Sequence, residues 1–305
     1  MYYDLIIIGA GSAGLPAAMY ASRYKISNLV IGELPGGALA TSHQVENWPG
    51  VLSASGKVIM DTFADHARHF GSEILQDRVS AVAGGDGAWE ITTLSGKSLT
   101  ARKLLLGTGN KYRRLGVTGE ERLIGAGVSY CATCDGNFFK NKIVAMVGGG
   151  DAAITESLYL ADLCAEVHIL VRGDTLRAET VWVDQIKKRA NVTLHYNTQV
   201  EEIKGEWNVE ELLLKNGESM KVHGIFIAVG SDPDTKLIDN LNPAKDDSGC
   251  IIVDKRQATS IPGLYAAGDV TTNSNKFKQT IMSAAEGCLA ANSIHEDMLR
   301  SGHSA

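Results

Sequence analysis

The sequence has 305 residues, roughly the length of two domains, and a formal net charge of −6. An acidic chain without a run of Lys and Arg residues excludes the usual electrostatic footprint of a nucleic-acid-binding protein. No apolar stretch approaches the ~20 residues of a membrane-spanning helix, and the first residues lack the basic start of a signal peptide. We therefore expect a cytoplasmic protein with neither nucleic acid nor membrane as a partner.

The first predicted element is a strand, turn and helix of the kind that binds a dinucleotide. The apolar run 4–8 precedes Gly9-Ala10-Gly11-Ser12-Ala13-Gly14, and residues 15–21 have a helical composition. In this fingerprint the first glycine makes the turn, the second admits a pyrophosphate and the third lets the helix pack on the strand. The helix N-terminus offers free N–H groups to the phosphates. The residues assigned to this cofactor site are Gly9, Gly11, Ser12, Ala13 and Gly14.

A second strand is predicted at 28–31, and Glu33 follows it. A carboxylate about 20 residues after such a fingerprint typically binds a ribose hydroxyl. Because Gly32 displaces Glu33 from the strand end, two interpretations stay open: a ribose contact and a solvated loop carboxylate.

A C-x-x-C motif, Cys131-Ala132-Thr133-Cys134, is followed at once by Asp135. The odd number of five cysteines argues against a disulfide framework, so the motif is either redox-active or half of a zinc site. Zinc needs two further ligands close together, whereas Cys164, Cys250 and Cys288 stand apart from one another. We predict a redox dithiol, no metal, and three small buried hydrophobic cysteines.

A second fingerprint follows the cysteines. The strand-like run 142–147 precedes Gly148-Gly149-Gly150-Asp151-Ala152-Ala153, with alanine in the third position, which the pattern allows. We assign Gly148 to Ala153 to a second nucleotide site, because one cofactor would leave one fingerprint unexplained. The alternative is a bare glycine turn that packs a helix on a sheet.

The chain after each fingerprint has the same order of elements. The β-rich segments 89–94 and 211–217 are followed by apolar strands that end in glycine turns, at 104–109 and 225–233. Asn216-Gly217 predicts a hairpin turn. This order predicts two copies of one architecture. The tail, with a strand ending at Gly268-Asp269 and a small-residue helix from 279 to 292, is expected to fold back on the first copy.

The order of these motifs resembles that of the low-molecular-weight thioredoxin reductases, of the class II pyridine nucleotide-disulfide oxidoreductases, along nearly the whole chain. The motifs that carry the resemblance are Gly9 to Gly14, Gly36-Gly37-Ala38-Leu39, Glu46-Asn47-Trp48-Pro49-Gly50, Cys131 to Asp135, Gly148 to Ala153, Ala267-Gly268-Asp269 and Phe277-Lys278-Gln279-Thr280. The resemblance implies an α/β fold of two Rossmann-like three-layer ββα dinucleotide-binding domains, the second inserted into the first. Residues 1–113 and 241–305 are then expected to bind FAD, and residues 114–240 to form the NAD(P)H-binding domain of a homodimer.

The resemblance also implies roles for single residues. It places Asp269 at the ribityl hydroxyls of FAD, and the backbone of Lys278, Gln279 and Thr280 at the isoalloxazine. The further residues that it assigns to FAD are Gly36, Gly37, Leu39, Asn47, Thr108, Gly109 and Gly268. Two residues depart from the family pattern: Lys278 replaces an arginine, and Ala38 replaces a glutamine. For Asp269, helix capping is the alternative.

The activity that the resemblance implies is reduction of thioredoxin or a thioredoxin-like protein. Electrons pass from NADPH through FAD to the Cys131–Cys134 disulfide, and then to the disulfide of the partner. Cys134 is expected to face the flavin and Cys131 to attack the partner as a thiolate. Asp135 is the expected general acid, with a simple interaction between its carboxylate and a helix dipole as the alternative.

The electron donor is where the sequence departs most from the family. NADPH-dependent members carry His-Arg-Arg and a further Arg four residues later, whereas this chain has Val171-Arg172-Gly173 and then Arg177. No acidic residue replaces the missing arginine, as a site for NADH would prefer. We therefore expect NADPH, bound through Arg172 and Arg177, with NADH possible. A ferredoxin or other donor, a flavin dithiol oxidase that uses oxygen, and a non-catalytic redox sensor are the remaining alternatives.

Overall fold

A computed structural model of the chain describes residues 1–33, 36–41, 45, 47–130, 132–273 and 278–302. The chain divides into two compact units. Unit 1 comprises Met1–Lys111 and Asp232–Ala305, and unit 2 comprises Tyr112–Ser231. Unit 2 is thus one continuous segment, inserted into a unit whose two halves are far apart in sequence.

The strands, in chain order, are β1 (Tyr2–Ile8), β2 (Asn28–Ile31), β3 (Glu73–Leu75), β4 (Val79–Gly85), β5 (Ala88–Thr93), β6 (Ser98–Leu106), β7 (Asn110–Tyr112), β8 (Val128–Ser129), β9 (Ile143–Val147), β10 (Glu166–Leu170), β11 (Val192–His195), β12 (Val200–Lys204), β13 (Glu211–Leu214), β14 (Ser219–Lys221), β15 (Gly224–Ile227), β16 (Ser231–Pro233) and β17 (Leu264–Ala266). The α-helices are α1 (Gly14–Arg23), α2 (Gly56–His69), α3 (Ala132–Asp135), α4 (Asp151–Leu163), α5 (Thr180–Ile186) and α6 (Thr280–Arg300). Short 3-10 helices span Gly37–Thr41, Gly136–Phe139 and Lys236–Leu241.

Unit 1 is built from three layers around β1. This strand pairs in parallel with β2 and β6, while β4, β5 and β6 form an antiparallel meander. Side chains of a strand alternate between its two faces. Leu5 and Ile7 accordingly pack with α1, α2 and α6, whereas Ile6 and Ile8 pack with the meander. The continuous apolar run of β1 is therefore explained by burial on both faces.

Unit 2 repeats this plan. The strands β11, β10, β9, β15 and β8 form a parallel sheet in that order, and β12, β13 and β14 form the meander. Val144 and Met146 pack with α4, and Ala145 and Val147 pack with the meander. The predicted α/β class, with two Rossmann-like three-layer units and the second inserted into the first, is confirmed.

The tail completes unit 1. β17 pairs in parallel with the end of β6, with Leu264 opposite Leu104. A Cβ on Gly287 of α6 would lie 2.1 Å from the carbonyl oxygen of Ala13, so the two backbones pack in direct contact there. The expected return of the tail to the first copy is thus observed.

The linking segments β7 and β16 pair with each other as a two-stranded sheet. The predicted domain boundaries, 113/114 and 240/241, differ from the observed crossings at 111/112 and 231/232. Residues 232–240 lie in unit 1, because Ile238 is fully buried in the core layer that contains Ile6 and Ile8. The apolar content of 236–241 alone does not show which core it joins.

Candidate active site

The first fingerprint folds as a turn that only glycine permits. Gly9 has a φ of +119°, and a Cβ there would lie 2.1 Å from the carbonyl oxygen of Gly107. A Cβ on Gly14 would lie 1.9 Å from the carbonyl oxygen of Gly9. The start of α1 is therefore held directly over the ends of β1 and β6, as a dinucleotide fold requires.

The predicted pair Gly36 and Gly37 lies against this turn. The Gly36 N–H donates to the Ala10 carbonyl at 2.8 Å. A Cβ on Gly37, whose φ is +59°, would lie 3.0 Å from the Cα of Gly11. The first cradle is defined as residues 9–14 together with Gly36 and Gly37. At Gly37 the neighbouring backbone of Gly11 is too close for a side chain to fit without displacement.

The helix that begins at the first cradle presents its N–H groups without a side-chain cap. Ala13 occupies the N-cap position of α1, and the first turn has no acidic residue. Unsatisfied N–H groups and the positive end of the helix dipole suit a pyrophosphate. The Ser12 hydroxyl beside them is 4.0 Å from the sulfur of Met60. Because the first amides of α1 have no side-chain cap and no acidic residue beside them, these residues fit the diphosphate of FAD.

Two further predicted FAD residues meet near the start of α6. The Asn47 side-chain amide donates to Gln279 Oε1 at 2.9 Å. Thr280 is the first residue of α6, and Leu39 packs on the α1 face of the core from the 3-10 helix Gly37–Thr41. Segments that are more than two hundred residues apart in sequence thus meet in unit 1.

Asp269, which the resemblance assigns to the ribityl hydroxyls of FAD, lies in a polar cluster of unit 1. Its half-buried carboxylate accepts a hydrogen bond from Ser283 Oγ at 3.3 Å. Burial raises the pKa of Asp269, and Lys278 and the Ser283 hydrogen bond oppose that rise. In the part of the chain that the structure describes, Asp269 makes no hydrogen bond to a backbone N–H of α6, so the capping alternative has no support. Gly268 beside it, with a φ of +81°, packs on Ala13 of the first cradle.

Asn110 joins this cluster and was not predicted from the sequence. With its amide oriented to satisfy both neighbours, its nitrogen donates to the Asp269 carbonyl at 3.1 Å, and its oxygen accepts from Lys278 Nζ at 2.9 Å. Lys278, which stands where the family has arginine, is therefore held by Asn110 and by the charge of Asp269. These contacts keep a cation near the predicted isoalloxazine end.

Thr108 and Gly109 bind the returning chain. The Thr108 hydroxyl donates to the Asp234 carbonyl at 2.7 Å, and the Asp234 N–H donates to the Gly109 carbonyl at 2.9 Å. Their assignment to FAD stays a prediction. Glu33 is exposed, with its carboxylate 3.9 Å from Nε of Arg78, and both interpretations of its role stay open.

Glu286 is a buried carboxylate that the sequence analysis missed. Glu286 belongs to α6, and only 7% of the residue is exposed. Its Oε2 accepts a hydrogen bond from the Gly268 N–H at 2.8 Å. The Thr271 hydroxyl donates to the same oxygen at 3.4 Å. Glu286 thereby holds the turn that carries Asp269. The available signal was an acidic residue between the small residues Ala285 and Gly287 of a helix.

The second fingerprint forms a similar cradle in unit 2. Gly148 has a φ of +149°, and a Cβ there would lie 2.4 Å from the carbonyl oxygen of Ala228. Ala153 packs against the same glycine, and Gly150 is the N-cap of α4 without a side-chain cap. Asp151 and Ala152 begin the helix, and Asp151 Oδ1 accepts from the Glu179 N–H at 2.7 Å. We call residues 148–153 the second cradle, and its geometry fits a second pyrophosphate.

The segment after β10 lies across the second cradle. The Arg177 N–H donates to the Gly149 carbonyl at 2.6 Å. Val171, which replaces the histidine of the family, is buried, and a Cβ on Gly149 would lie 3.0 Å from its Cγ1. Arg172 and Arg177 are exposed, and neither forms an ion pair with a carboxylate of the described chain. Both arginines are therefore exposed residues of the segment that borders the second cradle.

The helix α3 begins at Ala132, the second residue of the dithiol motif. Cys131 and the side chain of Cys134 lie outside the described residues. Asp135 ends the helix, and its Oδ2 accepts from the Ser129 hydroxyl at 2.5 Å. Asp135 makes no capping hydrogen bond to the following 3-10 helix, Gly136–Phe139. Its carboxylate is therefore held by a hydroxyl on the strand that precedes the motif.

Of the three remaining cysteines, which were predicted to be small buried hydrophobic residues, two are fully buried. Cys164 and Cys250 are buried and Cys288 is half-buried. Burial raises the thiol pKa values of Cys164 and Cys288 to about 11. Across the described ranges, no group of three or more His, Cys, Asp or Glu side chains is placed to hold a metal ion. None of the helices described has the length and apolar character needed to cross a membrane.

Comparison with known proteins agrees with this architecture. The family model described as pyridine nucleotide-disulphide oxidoreductase matches residues 3–287. Thioredoxin reductase of Treponema pallidum is 40% identical over 296 residues, which cover 95% of each chain. A protein of Pseudomonas fluorescens named glucosaminate ammonia-lyase is 40% identical over 304 residues, 94% of this chain and 93% of that protein.

Among solved structures, thioredoxin reductase of Lactococcus lactis in its FR conformation superposes with a TM-score of 0.89. It is 32% identical, and the match covers 98% of this chain and 99% of that one. The resemblance drawn from the motifs is confirmed, and the protein is an FAD-dependent oxidoreductase. The chain belongs to the pyridine nucleotide-disulphide oxidoreductase family.

Proposed function

We propose that the protein is a thioredoxin-disulfide reductase that moves electrons from NADPH, through FAD, to the Cys131–Cys134 disulfide and on to thioredoxin or a thioredoxin-like protein. The observation that carries this proposal is the position of the dithiol helix. The Ala132 N–H of α3 donates to Glu156 of α4 at 3.3 Å, and α4 is the helix that begins at the second cradle. The redox motif and a dinucleotide site therefore belong to one compact unit.

The first cradle is the proposed FAD site. Bound FAD supplies hydride acceptance from a nicotinamide and two-electron transfer to a disulfide. The backbone of residues 9–14, with Gly36 and Gly37, is proposed to hold the diphosphate, and Asp269 the ribityl hydroxyls. Lys278, placed by Asn110, provides a positive charge near the isoalloxazine end.

The second cradle is the proposed NADPH site. Arg172 and Arg177 are exposed at its edge, where a 2′-phosphate can accept charge-assisted hydrogen bonds. The chain has two arginines where the family has three, so its binding of the 2′-phosphate is weaker. NADH, or a ferredoxin or other donor, is therefore the second candidate for the electron donor. The intact geometry of Gly148 and Gly149 favours a nicotinamide donor over direct use of oxygen.

The dithiol is proposed to exchange with the partner through Cys131. Its thiolate attacks the disulfide of the partner, one partner sulfur leaves, and Cys134 then displaces the other to restore the Cys131–Cys134 disulfide. The leaving sulfur needs a proton, and Asp135 is proposed as the general acid. The Ser129 hydroxyl at 2.5 Å orients that carboxylate.

The name of the Pseudomonas relative raises a different activity, release of ammonia from glucosaminate. A C-x-x-C motif followed by an acid is suited to disulfide exchange, and elimination of ammonia does not require a dithiol. The dithiol of this chain therefore favours the reductase. We further propose a cytoplasmic homodimer, for which sedimentation should give twice the mass of the chain.

The test begins with the purified yellow holoenzyme under anaerobic conditions. We expect NADPH at micromolar concentration to bleach the flavin absorbance faster than NADH, and catalytic turnover when oxidised thioredoxin is added. Ammonia release from glucosaminate, assayed in parallel, should be absent. Bleaching without turnover of any thioredoxin would contradict the reductase, and bleaching by neither nicotinamide would favour another donor.

A matched pair of variants tests the phosphate contacts. Replacing Arg172 and Arg177 together by alanine should raise the KM for NADPH and leave the KM for NADH unchanged. Replacing the exposed Lys187 and Lys188 of unit 2 by alanine removes the same two charges and should affect neither. Equal losses for both nucleotides in the arginine variant would refute the assignment of the phosphate to this edge.

A further inference from the structure

The carboxylate of Glu156 lies directly beside the backbone of the redox motif. Its Oε2 accepts from the Ala132 N–H at 3.3 Å. That nitrogen is bonded to the carbonyl carbon of Cys131, so the carboxylate is one peptide group away from the cysteine proposed to attack the partner. Glu156 lies in the second turn of α4, and none of the roles assigned above uses its charge.

The surroundings of Glu156 favour its neutral form. Burial raises its pKa to about 7, although the Ala132 N–H opposes that rise. Of the titratable groups near this contact in the described chain, Asp135 ends α3 and Tyr159 lies on the same helix as Glu156, and Tyr112 on β7 interacts electrostatically with Glu156. Burial, and then the charge of Glu156, raise the pKa of Tyr112. Within the described residues, no lysine or arginine forms an ion pair with Glu156.

A helix start normally favours a thiolate, through free N–H groups and the positive end of the dipole. Here Glu156 occupies the first N–H after Cys131 and adds a like charge. Both effects act against an anion on that sulfur. The carboxylate therefore opposes the contribution that the short helix α3 makes to thiolate formation.

We propose that the ionised Glu156 carboxylate positions the start of α3 and disfavours the thiolate of Cys131, so that Glu156 is a positioning residue that sets the proton state of the dithiol. This inference rests on the proposed disulfide exchange. No atom of Glu156 enters that reaction: the bond from Cys131 to the partner forms, the partner disulfide breaks, and the proton goes to the leaving sulfur. The effect is conditional, because it vanishes when Glu156 takes up a proton.

The test measures the proton affinity of the Cys131 thiol directly. The holoenzyme is reduced with dithiothreitol, desalted without oxygen, and alkylated with iodoacetamide between pH 6 and 9, with mass spectrometry reporting Cys131. Glu156→Gln keeps an oxygen that can accept from Ala132 and removes the charge. We expect the apparent pKa of Cys131 to fall by about one unit in this variant, which is about tenfold faster alkylation where the rate rises with pH. Near pH 6, where Glu156 is largely protonated in the natural protein, the two rates should converge.

Two control variants separate a local effect from a general one. Glu201→Gln removes an exposed carboxylate from β12 of the same unit and should leave the Cys131 profile unchanged. Glu156→Asp keeps the charge and should stay close to the natural profile. An equal shift in Glu201→Gln, or no shift in Glu156→Gln, would overturn the inference. If the glutamine variant loses its flavin or its cooperative unfolding, a shift of one unit in Glu156→Asp would overturn it instead.

The same experiment distinguishes this inference from the proposed function. If neither Cys131 nor Cys134 alkylates faster than Cys288, the chain has no activated dithiol, and both the reductase and the inference fail. If the dithiol is reactive and thioredoxin is turned over, but the pH dependence of Cys131 alkylation is the same in Glu156→Gln as in the natural protein, the reductase stands and the inference alone fails.

Discussion

An arginine at position 173 should strengthen the preference of the enzyme for NADPH. Gly173 is exposed, its φ lies outside the left-handed region, and a Cβ there meets no atom within 4 Å. Its carbonyl accepts from the Asn197 N–H at 2.8 Å, and a side chain does not disturb that bond. Gly173→Arg therefore adds a guanidinium between Arg172 and Arg177 without strain.

The size of the effect follows from the exposure of the site. A hydrogen bond to a charged group contributes about 1.5–3 kcal/mol. In an exposed position solvent screens part of that energy, so we take a value just below this range, about 1.4 kcal/mol, which is a factor of about ten. We expect the KM for NADPH to fall about tenfold, with the KM for NADH and the maximal rate with thioredoxin unchanged.

The assay is steady-state thioredoxin reduction at varied NADPH and, separately, varied NADH, first at low ionic strength and then with added salt. Salt should reduce the gain for NADPH, since it screens exposed charges. Gly85→Arg in unit 1 is the matched control, because Gly85 also has free space and no left-handed φ. An equal gain for both nucleotides, or no gain for NADPH, would refute the placement of the 2′-phosphate at this edge.

Three other changes test separate parts of the structure. Asp135→Asn should slow thioredoxin reduction about a hundredfold while nicotinamide still bleaches the flavin at its normal rate, and unchanged turnover would exclude the acid role. Gly37→Val should abolish FAD retention, measured as the ratio of flavin to protein. Gly50→Val, at a φ of +94° and with no atom within 4 Å of the added Cβ, should retain FAD. Equal retention in the two variants would contradict the assignment of FAD to the first cradle. Glu286→Ala should destabilise the protein by about 1–3 kcal/mol in denaturant unfolding, because a buried N–H loses its acceptor, and no loss would remove its supporting role.

The parts of the fold that sequence analysis predicted are those with local causes. A Cβ on Gly14 would lie 1.9 Å from the carbonyl oxygen of Gly9, within one strand, turn and helix, so the spacing of these two glycines is visible in a short window. The Asn216-Gly217 turn likewise joins β13 and β14, and Gly217 has the φ of +85° that such a turn demands. At each of these positions, the local backbone geometry explains why that residue type occurs there.

The contacts that sequence analysis did not predict join distant segments. Glu286 reaches Gly268, and Glu156 reaches Ala132, from helices whose composition does not distinguish a buried acid from a solvated one. Only packing in three dimensions decides that difference. For the same reason Thr108, predicted as a cofactor residue, was not foreseen as a hydrogen-bond donor to the returning chain at Asp234.

The division of unit 1 into two halves bears on the order in which the protein acquires its structure during synthesis. Residues 112–231 are continuous, so unit 2 has its full set of internal partners once that segment has left the ribosome. The C-terminal end of β6 cannot pair with β17 until β17 has been synthesised. In the same way, the start of α1 cannot pack against Gly287 until α6 has been synthesised. Pairings of such long sequence separation form late and leave strand edges and apolar helix faces open in the meantime. A chain released before residue 264 has been added would thus carry a complete unit 2 joined to an incomplete, aggregation-prone unit 1.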